Sequence, residues 1–285
     1  VTSHTLSYNF DLPSSHHFDA LIGFEAQKND FVYKSVYANK FPNDIVRTVG
    51  AGVVIGGNSF KDQWSLASYF GRVGYSYKDK YLVNASIRRD GSSRFGANQR
   101  YGIFPSASIG WRVSEEAFMK NIPVISDMKL KVSYGLAGNN AFSNYGSIGT
   151  LGADNYVFGN NLVNGLATNS IGNDNLTWEK SRQTDIGLEL GLWKNRIFLT
   201  VDYYSRITTD LLLSVQVPTL TGFASASRNI GKVENKGMEF GLTTRNLTGA
   251  FKWSTDFNLS FNRNKVLALG PTGDAIRSGT GVGET

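Results

Sequence analysis

His16 and His17 are adjacent, in a chain with only three histidines. Two imidazoles could share a metal ion, but successive residues on a strand point to opposite faces, so this pair cannot close on one ion locally. Glu115, Glu116 and Asp154 are carboxylates of the kind that move protons. None has a serine or histidine partner at a catalytic spacing, and they read as solvated loop charges. The run Gly50-Ala51-Gly52-Val53-Val54-Ile55-Gly56 lacks the third glycine of a dinucleotide fingerprint. No zinc-protease, phosphate-loop or nucleophile-elbow pattern occurs. The chain has no cysteine, which excludes a thiol nucleophile, an iron–sulfur site and a disulfide scaffold. Asn175-Leu176-Thr177 and Asn246-Leu247-Thr248 match a glycosylation sequon, a common chance match. The sequence gives catalysis no support, and neither a cofactor nor a metal is expected.

The chemistry that remains is recognition. Asn139, Asn140, Asn144, Tyr145, Tyr156, Asn160 and Asn161 lie in a segment rich in glycine and asparagine. Amides suit sugar hydroxyls or peptide groups, and aromatic rings suit apolar ring faces; the same residues also make turns. Phe223 and the Leu211–Leu213 run are candidate apolar contacts in a second such segment. Arg88, Asp90 and Arg94 form a charged group that reads as a structural ion pair.

Such side chains need a scaffold. The chain has 285 residues, 41% of them hydrophobic, 13% aromatic and 18% charged, with 31 Gly and 6 Pro. So many aromatics argue against disorder. No apolar run approaches the 18 or so residues of a membrane helix. The net charge of +6 is dispersed along the chain, which makes nucleic acid an unexpected partner.

Alternation of apolar and polar residues is the main signal. From Phe251 to Asn262 the odd positions are Phe251, Trp253, Thr255, Phe257, Leu259 and Phe261, and every even position is polar. About ten segments alternate: 2–11, 18–28, 64–77, 81–90, 102–113, 128–138, 177–192, 196–209, 234–246 and 251–265. Many are long enough to cross a bilayer as tilted strands of about 9–11 residues. Links of three or four residues (12–15, 78–80, 193–195, 247–249) take turns with long ones (29–63, 91–101, 139–176, 210–233). The link 114–127 is the exception on the short side, with a helical turn expected near Glu115–Lys120. Aromatics gather beside the short turns, as in an interfacial girdle. This is the pattern of an antiparallel transmembrane β-barrel with short periplasmic turns and long extracellular loops. A secreted, soluble β-sandwich, as in an adhesin or carbohydrate-binding protein, also alternates and is the competing reading. It leaves two features unexplained: the asymmetry of the links, and acidic residues such as Glu179, Asp185, Glu189 and Asp202 far inside the polar faces.

Several segments resemble a family. The stretch from Tyr81-Leu82-Val83-Asn84-Ala85-Ser86-Ile87 through Arg88-Arg89-Asp90-Gly91-Ser92-Ser93-Arg94-Phe95-Gly96 is similar to a hallmark of SusC/RagA-type TonB-dependent outer-membrane transporters. So are Phe104-Pro105-Ser106-Ala107-Ser108, Asn175-Leu176-Thr177-Trp178-Glu179 and Asn229-Ile230-Gly231-Lys232-Val233-Glu234-Asn235-Lys236-Gly237-Met238-Glu239. The matches run in family order across nearly the whole chain.

The resemblance implies an all-β fold, a 22-stranded barrel of which this chain supplies about ten strands. Residues 1–285 would all belong to the barrel domain, with the plug domain and terminal strands outside them. It implies a location in the outer membrane, a SusD-like surface lipoprotein as partner, energy from TonB, and a glycan or peptide cargo. No catalytic role is implied. Asn139, Asn140, Asn144, Tyr145, Tyr156, Asn160 and Phe223 then become the candidate contacts to substrate or lipoprotein, because loops on a rigid scaffold carry recognition.

Overall fold

The computed structural model describes residues 1–270, 277–278 and 281–282. Strands β1 (Thr2–Leu12), β2 (His16–Asn39), β3 (Val53–Tyr77), β4 (Tyr81–Ser92), β5 (Tyr101–Arg112) and β6 (Ile125–Asn139) come first. Four three-residue strands follow: β7 (Leu151–Ala153), β8 (Tyr156–Phe158), β9 (Asn161–Val163) and β10 (Leu166–Thr168). Next are β11 (Glu179–Leu192), β12 (Ile197–Thr209), β13 (Leu212–Gln216), β14 (Ser225–Asn229), β15 (Lys232–Thr248) and β16 (Lys252–Ala268). A two-residue pair, β17 (Arg277–Ser278) and β18 (Gly281–Val282), is the last. Ten strands form one antiparallel sheet in the order β1-β2-β3-β4-β5-β6-β11-β12-β15-β16. Each of the ten alternating segments is one of these strands. The remaining short strands make hairpins within the loops.

The register explains why the alternation matters. One row crosses all ten strands: Phe10, Phe18, Tyr75, Val83, Ile109, Val132, Ile186, Tyr203, Met238 and Phe261. Every member is apolar or aromatic. The row one residue away holds Asn9, Asp19, Gly74, Asn84, Ser108, Ser133, Asp185, Tyr204, Gly237 and Asn262. Every member of that row is polar, except for two glycines and an amphipathic tyrosine. A slip of one residue on any strand would exchange the two faces. Two residues from the apolar row towards the short turns, Tyr77, Tyr81 and Trp111 stand side by side on three strands as an aromatic belt.

The apolar face is not covered by a second sheet among the described residues. Ile109, Ile22, Ile87 and Phe261 are all more than half exposed. Among the described residues, six apolar side chains are buried: Phe95, Phe104, Val113, Met119, Leu176 and Trp178. A water-soluble sandwich of this size would bury its apolar face between sheets. Here that face is left for lipid, which is why the sandwich reading fails.

The turns follow the expected asymmetry. Residues at the short ends take left-handed conformations without glycine: Ser14 and Ser15, Lys78 and Asp79, and Trp193, Lys194 and Asn195. Such φ values let a chain reverse within three or four residues. The link after β5 holds two 3-10 turns, Val113–Glu115 and Ala117–Met119.

One link differs from expectation. Residues 29–63 are mostly strand: β2 runs on to Asn39, and β3 begins at Val53. The arm pairs as far as Asn39↔Val53, with a bulge at Tyr37/Ala38. Strict alternation is lost there because Phe31, Val32, Tyr33, Val36 and Tyr37 put apolar groups on both faces. Their β-branched and aromatic types still favour extended backbone.

Candidate functional site

The loops on the long side are built around a small core. Phe95, Phe104, Leu176 and Trp178 are buried together, with Leu66, Leu136, Phe142 and Leu212 packed against them. The Trp178 ring lies 5.1 Å from that of Phe95 and meets Phe104 edge-on at 5.3 Å. Its indole Nε1 donates to the Arg100 carbonyl at 2.9 Å, so the polar end of this buried ring is satisfied. Three separate sequence motifs therefore converge on one cluster. Two of the loops touch so closely that a Cβ on Gly96 would lie 2.0 Å from the Asp174 carbonyl oxygen. Only glycine allows that approach.

A polar layer surrounds the cluster. Arg88 Nε donates to both Asp90 carboxylate oxygens at 2.7 and 2.8 Å, and its Nη2 donates to Ser68 Oγ at 2.8 Å. Arg94 points elsewhere. Its Nε donates to Asn144 Oδ1 at 2.6 Å and its Nη1 to the Asn140 carbonyl at 2.9 Å, while its guanidinium stacks on Trp64.

The recognition residues separate into two groups. Asn139, Asn140, Asn144 and Tyr145 are engaged near the core. Asn139 donates to Glu179 at 3.3 Å, and Asn140 donates to Ser92 Oγ at 3.3 Å. Asn144 also donates to Asp62, and the Tyr145 hydroxyl accepts the Gln63 amide N–H at 3.1 Å. Tyr156 and Asn160 stand apart on the β8–β9 hairpin, whose tip turns through Gly159 at φ +63°. Tyr156 is 70% exposed. Phe223 is half-buried in the loop between β13 and β14. Leu212, from the Leu211–Leu213 run, packs on the Phe95–Trp178 cluster.

Sequence reasoning singled out no role for Asn229, which ties two loops together. Its Oδ1 accepts the Thr177 N–H at 2.8 Å, and its Nδ2 donates to the carbonyls of Thr177 and Asp210 at 2.7 and 2.9 Å. Asn229 opens one of the family-like stretches, but its tie is not legible there, because its partners are backbone groups from distant turns.

The inner face of the wall is wet. Lys131 Nζ lies 3.0 Å from Asp202 and 3.3 Å from Glu189, and Ser133 donates to Asp185 at 3.0 Å. Lys131, Asp202, Ser133 and Asp185 line a polar hollow of about 810 Å³ with Asn84, Arg206 and Asn262. At the short-turn end, Glu116 Oε1 accepts from the Tyr81 hydroxyl at 2.6 Å and from Trp111 Nε1 at 3.1 Å. These two bonds favour the charged carboxylate and hold its pKa below the ordinary glutamate value. His16 and His17 part to opposite faces: His16 bonds the Tyr75 hydroxyl at 2.9 Å, and His17 bonds Asp11 at 2.6 Å.

A ten-stranded antiparallel wall with a lipid-ready outer face, a wet inner face, short turns at one end and long loops at the other defines an outer-membrane β-barrel. The chain belongs to the family described as TonB dependent receptor-like, beta-barrel, whose model matches residues 2–283. TonB-dependent receptor P39 of Formosa agariphila is 40% identical over 92% of the chain, which spans 25% of that relative. TonB-dependent receptor SusC of Bacteroides thetaiotaomicron is 38% identical over 72% of the chain, spanning 21% of SusC. The chain thus covers about a quarter of the length of such relatives. The structure of the RagAB peptide transporter matches with a TM-score of 0.87 at 27% identity, over 96% of this chain and 30% of that one. The siderophore receptor PirA from Pseudomonas aeruginosa, at 17% identity and a TM-score of 0.53, shares the fold alone.

Proposed function

We propose that the whole protein imports a large nutrient, an oligosaccharide or oligopeptide, across the outer membrane with energy delivered through TonB. This chain supplies barrel wall and extracellular loops, and makes or breaks no bond. The observation that carries the reading is a double likeness: 38% identity to SusC and a TM-score of 0.87 to a structure described as a peptide transporter. Among the described residues β1 and β16 are the two edges of the sheet, which supports the barrel as one part of a larger domain, because lipid cannot satisfy unpaired backbone groups. Further wall strands and a plug, supplied outside residues 1–285, would complete it. A SusD-like lipoprotein would close over the loops.

In this reading Tyr156, Asn160 and Phe223 touch cargo or lipoprotein directly. Asn139, Asn140, Asn144 and Tyr145 present their remaining polar edges at the same rim while fixing the loop that carries the β8–β9 hairpin.

The test uses the full-length gene product. It should appear in the outer-membrane detergent extract, shift on heating in gels, and copurify with a lipoprotein. The double change Tyr156→Ala/Asn160→Ala should lower retention of lipoprotein or cargo about tenfold while leaving heat-modifiability intact. Recovery as a soluble, detergent-independent protein would overturn the reading. Full retention by the double variant would remove these two residues from it.

A further inference from the structure

Arg89 is the outward-facing cation of β4. The outward residues on this strand are Tyr81, Val83, Ala85, Ile87 and Arg89, and Tyr81 belongs to the lower aromatic belt. Eight residues at about 3.4 Å each, tilted by about 40°, put Arg89 about 20 Å above that belt. The apolar band of such barrels is about 25 Å tall, so Arg89 lies within about 5 Å of its outer boundary, inside the reach of an arginine side chain. Its neighbour Arg88 faces the lumen and is committed to Asp90. Arg89 has no ion pair or side-chain hydrogen bond among the described residues; its guanidinium stacks on Tyr101, 4.4 Å from the ring centroid.

Below Arg89 the wall has a groove. Ile22, Gly71 and Ile87 are cross-strand neighbours in one outward row, and the missing side chain at Gly71 leaves a gap between two exposed isoleucines. Leu6 and Ile103 extend the lining on either side, and the open volume is about 710 Å³. The gap is not forced by the backbone. A Cβ on Gly71 would meet nothing nearer than the Leu21 carbonyl at 3.6 Å.

We propose that this groove and Arg89 together bind a phosphorylated glycolipid of the outer leaflet, a lipid A-type molecule. One acyl chain lies over Gly71 and the headgroup phosphate sits on the Arg89 guanidinium. The argument is charge complementarity at a fixed depth. A planar guanidinium offers parallel N–H groups to a phosphate, and stacking on Tyr101 already orients the fork. An apolar partner in the same groove would leave this cation without an anion.

The test uses the full-length protein extracted in native lipid discs, with bound lipid quantified by mass spectrometry. The wild type should retain lipid A over phosphatidylglycerol. Arg89→Gln should lower retained lipid A at least tenfold, and Arg89→Lys by less. Gly71→Leu, which fills the groove and leaves the cation, should also lower it. If Arg89→Gln fails to show heat-modifiable migration, the wild type itself decides: lipid A stripped of phosphate should bind at least tenfold more weakly than intact lipid A. Equal retention by wild type and a folded Arg89→Gln, equal binding of the two lipid A forms, or equal retention of phosphatidylglycerol would each overturn the proposal. None of these outcomes depends on what the protein imports.

Discussion

Arg94 Nε donates to Asn144 Oδ1 at 2.6 Å across 50 residues of chain. One side chain comes from the loop after β4, the other from the long loop after β6. With the bond from Arg94 Nη1 to the Asn140 carbonyl, a single guanidinium pins the root of that long loop. The distal hairpin with Tyr156 and Asn160 therefore extends from a fixed base.

That tie is testable. Hydrogen bonds to charged groups contribute about 1.5–3 kcal/mol each. Arg94→Met keeps the stem over Trp64 and removes the donors. Amide exchange in 141–148 should then accelerate roughly ten- to a hundredfold, because local opening becomes easier. Unchanged exchange there would show that the loop is held by other contacts.

The buried cluster sets a second expectation. Trp178 is 3% exposed and joins Phe95, Phe104 and Leu176. Trp178→Ala should destabilise the fold by about 3–5 kcal/mol, and Trp178→Phe by less. Denaturant midpoints of the full-length protein in detergent would measure both. Equal midpoints for wild type and Trp178→Ala would mean that the cluster contributes nothing to the barrel's stability.

Close approach at glycine gives a third. Gly96 faces the Asp174 carbonyl, and a Cβ on Gly237 would lie 2.1 Å from the Phe261 carbonyl, whereas Gly249 has open space. Gly96→Ala and Gly237→Ala should each cost about 1–3 kcal/mol as overpacking. Gly249→Ala is the control and should stay within about 0.5 kcal/mol. A control as damaging as the other two would disconnect the cost from the crowding.

Legibility in the sequence followed the range of the interactions. All ten wall strands were visible, because each must keep one face apolar and one polar along its whole length, and that constraint is written residue by residue. The arm formed by Phe31–Asn39 and Val53–Phe60 was not, because beyond the membrane neither face has to be apolar and the period dissolves. Arg88 with Asp90 was readable as a local pair two residues apart. Asn229 holding Thr177, and Trp178 capped by Arg100, were not readable, since their spacing in sequence bears no relation to their contact in space. The quoted motifs nonetheless pointed at the right places: Phe95, Phe104 and Trp178 come from three of them and meet in one cluster.

The two faces of the wall can be separated by one residue. Val132 lies in the ten-strand apolar row, and Ser133 beside it faces the lumen and donates to Asp185 at 3.0 Å. Val132→Arg puts a charge on the lipid face, which costs up to about 2–4 kcal/mol depending on depth. Ser133→Arg puts the same charge beside a carboxylate in a wet hollow. Assembly yield and heat-modifiability should fall sharply for the first and little for the second. Equal loss in both would contradict the assignment of faces.

The short-turn end carries an acid-sensitive clamp. Glu116 accepts from Tyr81 and Trp111, with Lys80 3.5 Å away, and these partners lower its pKa from the ordinary 4.5. A carboxylate with a lowered folded pKa contributes stability that is fully present above the ordinary value. That contribution is lost as pH falls through the folded value. Glu116→Gln keeps an oxygen acceptor for Tyr81 but removes the charge. Its denaturation midpoint should lie below that of the wild type at neutral pH, and the two should converge in acid. A gap that persists unchanged into acid would show that Glu116 acts through shape and hydrogen bonding alone, not through its charge.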